Sequence, residues 1–131
     1  MYTNLYNGPQ QILNDNDNIV IIDKFESKRG GTSLDVTGFT PEVINSGHVV
    51  IKETATGIYK PMPLNGGATA YATLPTGHTY AGVVIASVPT KKAMVGVLLR
   101  GTVNYVASPF AVSGIMADIT AAVPGLLFRK D

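Results

Sequence analysis

The chain has 131 residues, 45% of them hydrophobic and 15% charged, which suits one domain with a sizeable core and excludes intrinsic disorder. Ten basic residues against nine acidic ones leave a net charge of +1 with no basic stripe, so nucleic acid is not an expected partner. The absence of cysteine excludes disulfides and thiolate metal sites.

Met1 to Gln10 is polar and lacks the basic and apolar blocks of a secretory signal. No apolar run approaches the roughly 20 residues that span a bilayer. The expected state is therefore a soluble protein with no membrane partner. Fourteen glycines and eight prolines among many β-branched residues predict short strands joined by tight turns.

In chain order, the first 18 residues are rich in Asn, Asp, Gln and Tyr, which compete for their own backbone and predict a flexible arm. Ile19-Val20-Ile21-Ile22 follows, a continuous β-branched run of the kind found in a strand buried on both faces. Lys24 to Thr32, with Lys28-Arg29-Gly30-Gly31, reads as a mobile loop that ends the arm. The expected organisation is thus an N-terminal arm over 1–30 and a β-rich domain over 31–131.

Leu34 to Phe39 alternates in strand fashion, and Thr40-Pro41-Glu42 opens a turn. His48 to Glu53, the turn Thr54-Ala55-Thr56-Gly57 and Ile58 to Lys60 predict a hairpin. Pro61 and Pro63 place its second strand at a sheet edge, because proline donates nothing to a ladder.

Leu64 to His78 reads as an irregular surface excursion. Gly82 to Val88 and Ala93 to Tyr105 predict two strong strands joined by Pro89 to Lys92. In the second, Val95, Val97, Leu99, Val103 and Tyr105 share one face at period two. Gly101 interrupts it and predicts a bulge or a close backbone approach. Ile115, Met116, Ile119, Ala122 and Val123 fall on one helical stripe, with Ser108-Pro109 or Ser113 as the start and Pro124-Gly125 as the stop. Leu126 to Arg129 then predicts a last strand.

Catalytic chemistry is not legible in this sequence. His48 and His78 each stand beside a glycine without a ligand at metal spacing, and surface or strand-start positions account for both. None of the serines lies in a G-x-S-x-G elbow. The paired glycines at 30–31 and 66–67 lack a phosphate-loop pattern. Asn14 to Asn18 lacks the glycine and glutamate of a calcium loop. Glu42 and Glu53 do not form a recognisable pair. The expectation is no enzyme, no metal and no cofactor. Arg100, on the more polar face of the strongest strand and next to Gly101, is the candidate interface residue.

Three segments in the right order resemble the phage head decoration and head fibre proteins, the family that includes the lambda-type capsid-stabilising trimer. The first is Gly47-His48-Val49-Val50-Ile51-Lys52 with its return Gly57-Ile58-Tyr59-Lys60-Pro61-Met62. The second pairs Tyr80-Ala81-Gly82-Val83-Val84-Ile85-Ala86 with Val95-Gly96-Val97-Leu98-Leu99-Arg100-Gly101-Thr102-Val103. The third is the helical stretch Pro109 to Ala122 followed by Pro124-Gly125-Leu126-Leu127-Phe128-Arg129.

The likeness covers about residues 47 to 131. It implies a compact, mostly β fold (a small barrel- or tulip-like domain with one C-terminal helix), a homotrimer, and the major capsid protein as partner. It places the protein on the virion surface, after assembly in the host cytoplasm. The leading region is longer than in the shortest decoration proteins, which leaves a bare decoration protein and the base of a head fibre both open.

An unpaired apolar strand seeks another sheet edge, so Ile19, Val20, Ile21 and Ile22 are the candidate capsid-binding residues, within an attachment element over 2–25. That tether requires these residues to lie outside their own subunit's interior. The alternative reading is a bacterial cell-surface or carbohydrate-binding β domain, with Tyr59, Tyr71, Tyr80 and Tyr105 as stacking platforms.

Overall fold

The computed structural model describes residues 17–67 and 69–130. Its elements in chain order begin with one helical turn, α1 (Asp17–Val20), and strand β1 (Ile21–Ser27). Two short strands follow, β2 (Thr32–Ser33) and β3 (Val43–Ile44), then the hairpin β4 (Val49–Glu53) and β5 (Tyr59–Pro61). After β6 (His78–Val84) and β7 (Val88–Pro89), a 3₁₀ turn over Thr90–Lys92 leads to β8 (Met94–Val95) and β9 (Val97–Asn104). Helix α2 (Met116–Ala122) and β10 (Leu126–Arg129) complete the fold.

The main sheet is six-stranded in the order β1-β9-β6-β4-β5, with β10 also on β9. Its pairings are antiparallel except for β9 with β10, which run parallel from Leu126 opposite Gly101 to Arg129 opposite Asn104. Two small antiparallel ribbons, β2–β8 and β3–β7, lie apart from it. The mostly β fold with one C-terminal helix is as expected. The ends of the main sheet, β1 and β5, do not pair with each other.

Alternation along β4 explains how the sheet is covered on both faces. Val49 and Ile51 enter a cluster with Met62, Val83, Leu98, Val103 and Leu126, capped by Ile119 of α2. Val50 turns the other way, into a cluster where Val84 and Val97 of the main sheet meet Leu34 and the ribbon residues Ile44 and Val95. Each cluster holds several fully buried aliphatic side chains, and each such side chain contributes about 1.5–3 kcal/mol on burial. β5 is an edge strand, as Pro61 requires, and its outward-facing Tyr59 carbonyl accepts the Asp35 N–H at 2.9 Å.

The single-face reading of β9 fails at one point. Val97 joins the second cluster, whereas Val103 joins the first together with Leu98. Opposite β1, Arg100 pairs with Glu26 and Leu98 with Ser27, so Leu99 is an extra residue and the alternation inverts beyond it. Gly101 marks the close approach expected of it. A Cβ there would collide with the Asp23 carbonyl oxygen across the ladder.

The N-terminal reading needs correction. Ile19 and Val20 do not form a strand with Ile21 and Ile22. They belong to the helical turn α1, and only from Ile21 does the chain become extended. Val20 is 1% exposed and fills space against Gly47, where even a Cβ would clash with its Cγ1. β1 then pairs with β9 from Ile21 opposite Val103 to Ser27 opposite Leu98, all within one subunit. Residues 17–27 thus belong to the body, so the boundary at residue 30 and the mobile loop from Lys24 are both displaced. The rest of the expected arm, 1–16, lies outside the described residues.

The helix also starts later than expected. Neither Ser108 nor Ser113 caps it. Ile115 occupies that position without a side-chain bond, and its apolar side chain packs against the core instead. Pro124-Gly125 does end it, and Gly125 is fixed by space: a Cβ would meet Arg100 Cγ at 2.5 Å and the Leu99 carbonyl oxygen at 2.8 Å.

Candidate functional site

The hairpin's second strand and the loops around it frame a cleft of about 410 Å³. Ile51, Lys60 and Pro61 form its base, Asp35 to Pro41 one wall, and Leu64 to Gly66 with Pro75 and His78 the other. Sequence order hides this meeting. β4 and β5 bring Glu53 and Lys60 together, β6 starts at His78 beside them, and Asp35 crosses over by bonding to Tyr59.

The polar groups are mutually organised. His78 donates from Nδ1 to the Thr76 carbonyl at 3.0 Å, which leaves Nε2 as an acceptor for the Lys60 ammonium at 3.3 Å. Lys60 Nζ also lies 4.0 Å from Glu53 Oε1. Glu53 accepts a bond from the Thr56 hydroxyl, and this bond, with a smaller contribution from Lys60, holds its carboxyl below the usual range. Asp35 is lowered in the same way. Its Oδ1 accepts the Thr37 hydroxyl at 2.7 Å and the Thr37 N–H at 3.1 Å, and Lys60 adds a smaller attraction.

Both carboxylates are therefore ionised at neutral pH, with one ammonium between them. The arrangement can accept from hydroxyl donors and offer a proton from Lys60. Among the described residues, no three His, Asp or Glu side chains come together to hold a metal.

The residues singled out by sequence lie elsewhere. Ile19 is 51% exposed, Val20 is buried, and Ile21 and Ile22 are half-buried at the start of β1. Ile21 and Ile22 begin a strand that already pairs with β9 of the same subunit, and Ile19 and Val20 are not in a strand. Arg100 is exposed on β9, opposite Glu26, with its stem against Gly125.

Nor do the tyrosines form a platform. Tyr80 is in the core, and Tyr71 is sequestered, its hydroxyl oxygen accepting the Val49 N–H at 3.0 Å and its pKa raised by burial. Tyr59 lies under the ammonium groups of Lys28 and Lys52, and Tyr105 packs partly buried against the core.

His48 stands at the head of β4, as a strand-start histidine does, but the surface reading fails. It is 1% exposed and not at the surface. Phe39, Tyr71 and Phe110 meet its ring edge-on at centroid distances of 5.2–5.7 Å. Its Nε2 donates to the Met62 carbonyl at 3.1 Å, and burial drives its pKa down to about 4. The glycine-histidine pair at the head of β4 gave no sign of this, because the three rings arrive from distant loops. No helix among the described residues is long and apolar enough to cross a membrane. The chain matches no protein-family model, no curated protein and no solved structure.

Proposed function

We propose that this chain is a non-enzymatic structural subunit of a bacteriophage head, a decoration protein or the capsid-proximal part of a head fibre. In this reading it binds the outer face of the shell as a homotrimer, with the major capsid protein as its partner. One observation supports it above others: the three segments that resemble the family are neighbours in space. They are the β4–β5 hairpin, the β6–β9 pair joined at Val83 opposite Leu98, and β10 laid along β9 with α2 packed against β6 and β10. A family likeness that reflects shared ancestry should gather into one body in this way.

The means of attachment differs from a donated strand at 19–22. With β1 committed to β9, contacts to the shell fall to residues 1–16 and to exposed groups of the body such as Arg100. A trimer on a local three-fold axis closes its own interfaces and presents each contact three times, so weak contacts add to a firm hold.

Two measurements test the proposal. Light scattering on the purified protein is expected to give three times the chain mass, and the protein is expected to pellet with purified phage shells. A monomer that stays in the supernatant at saturating shell concentration refutes it.

A further inference from the structure

We propose that the cleft between Asp35–Pro41 and Leu64–Gly66 is a binding site for a neutral sugar, a pyranose engaged through a vicinal diol by Asp35 and Lys60. The site goes beyond the capsid role and does not depend on it.

Size comes first. At about 410 Å³ the cleft falls in the usual range for small-ligand sites, roughly 300–1,000 Å³, and it accommodates one or two sugar rings.

Both Thr37 bonds go to Asp35 Oδ1, so Oδ2 retains its acceptor capacity. Lys60 has three protons. One goes to His78 Nε2 and one points toward Glu53, which leaves a third. Asp35 and Lys60 both line the cleft, so a carboxylate oxygen and an ammonium proton are available to two adjacent hydroxyls, one donating to Asp35 and the other accepting from Lys60. Phe39, Pro41, Pro63 and Pro75 supply apolar surface for the sugar's C–H face.

The same groups argue against other occupants. Asp35 in the lining offsets the charge of Lys60, so the cleft has no net positive charge to favour an anion. A peptide adding as a strand would need donors and acceptors along the outer edge of β5. There Pro61 has no N–H and the Tyr59 carbonyl is already taken by Asp35.

The test is a two-dimensional NMR titration of the intact ¹⁵N-labelled chain with cellobiose and with maltose. Saturable shifts are expected at Thr37, Asn65 and His78, at millimolar affinity. Asp35→Asn and Lys60→Met are each expected to weaken binding about tenfold or more, since each removes a charged hydrogen bond.

Gly66→Trp keeps the proposal testable if either of those variants unfolds. Gly66 is exposed and a Cβ there meets nothing within 4 Å, so the substitution leaves the body intact while its indole fills the mouth of the cleft. Its expected result is loss of the shifts with an unchanged melting temperature. Absence of saturable shifts with both disaccharides overturns the proposal. So does wild-type affinity in folded Asp35→Asn, or shifts in the cleft with sodium acetate but not with either sugar. Failure to bind shells bears on none of these readings, because the titration uses the free chain.

Discussion

At the scale of single residues, His48 makes the fold sensitive to acid in a defined window. Its ordinary pKa is 6.5, and burial among three rings lowers it to about 4 in the folded protein. Above pH 6.5 neither state binds the proton and the full stability is present. Between pH 6.5 and about 4 the unfolded chain binds one proton more than the folded chain, so stability falls with pH. At about 1.4 kcal/mol per pH unit, the loss through this window is about 3 kcal/mol. Denaturant melts from pH 7 to 4 should reveal it. His48→Phe should be weaker at neutral pH, having lost the bond to Met62, and flatter across the window. An equal slope in the two proteins would place the acid sensitivity elsewhere. Gly101 is the second residue of this kind. Gly101→Ala pushes a methyl into the Asp23 carbonyl, and the expected cost is about 2 kcal/mol or more, read as a lowered midpoint with an unchanged m-value.

At the scale of elements, the status of β1 decides what truncation does. Removal of residues 2–16 should leave a cooperative body, because among the described residues the main sheet begins at Ile21 and the two clusters at Val20 and Leu34. Removal of residues 2–27 takes away an entire edge strand and the Val20 plug beside Gly47, and the remainder should fail to melt cooperatively. Circular dichroism melts of the two truncations separate these outcomes; a folded product from the longer deletion would restore the idea of a dispensable arm.

Much of this level was legible in the sequence, and for local reasons. The β4–β5 hairpin was written in its turn residues and in Pro61, the α2 stop in Pro124-Gly125, and the Gly101 irregularity in a glycine amid a β-branched run. What failed depended on distant partners. Ile19 to Ile22 has strand composition, yet its first half turns helical because Val20 is needed at Gly47. The face switch along β9 arises from pairing with Glu26 and Ser27, which no periodicity within β9 records. The cleft was likewise invisible, since Asp35, Lys60 and His78 are joined only by the crossing of Asp35 over β5 and the start of β6 beside it. The aromatic surround of His48 is hidden for the same reason.

At the scale of the whole molecule, the trimer proposal assigns exposed groups a job. Arg100 is the clearest of them, and Arg100→Glu should reduce trimer formation or shell pelleting about tenfold, with a melting temperature within a few degrees of wild type. Equal pelleting and equal mass would remove Arg100 from the interface. Phe25 is 71% exposed, and it falls between Lys24 and Glu26, where the register with β9 shifts. Such a bulge on a charged outer strand discourages uncontrolled edge-to-edge pairing and so favours closed assembly over fibres. The position of β9 carries a further consequence. β1 lies along one of its edges while β6 and β10 share the other, and apolar clusters lie on both sides of the sheet. The amides from Gly101 to Val103, enclosed between β1 and β10, are the least open to local fluctuation. In deuterated water those amides should be among the last to exchange, at a rate that reports the unfolding of the entire chain.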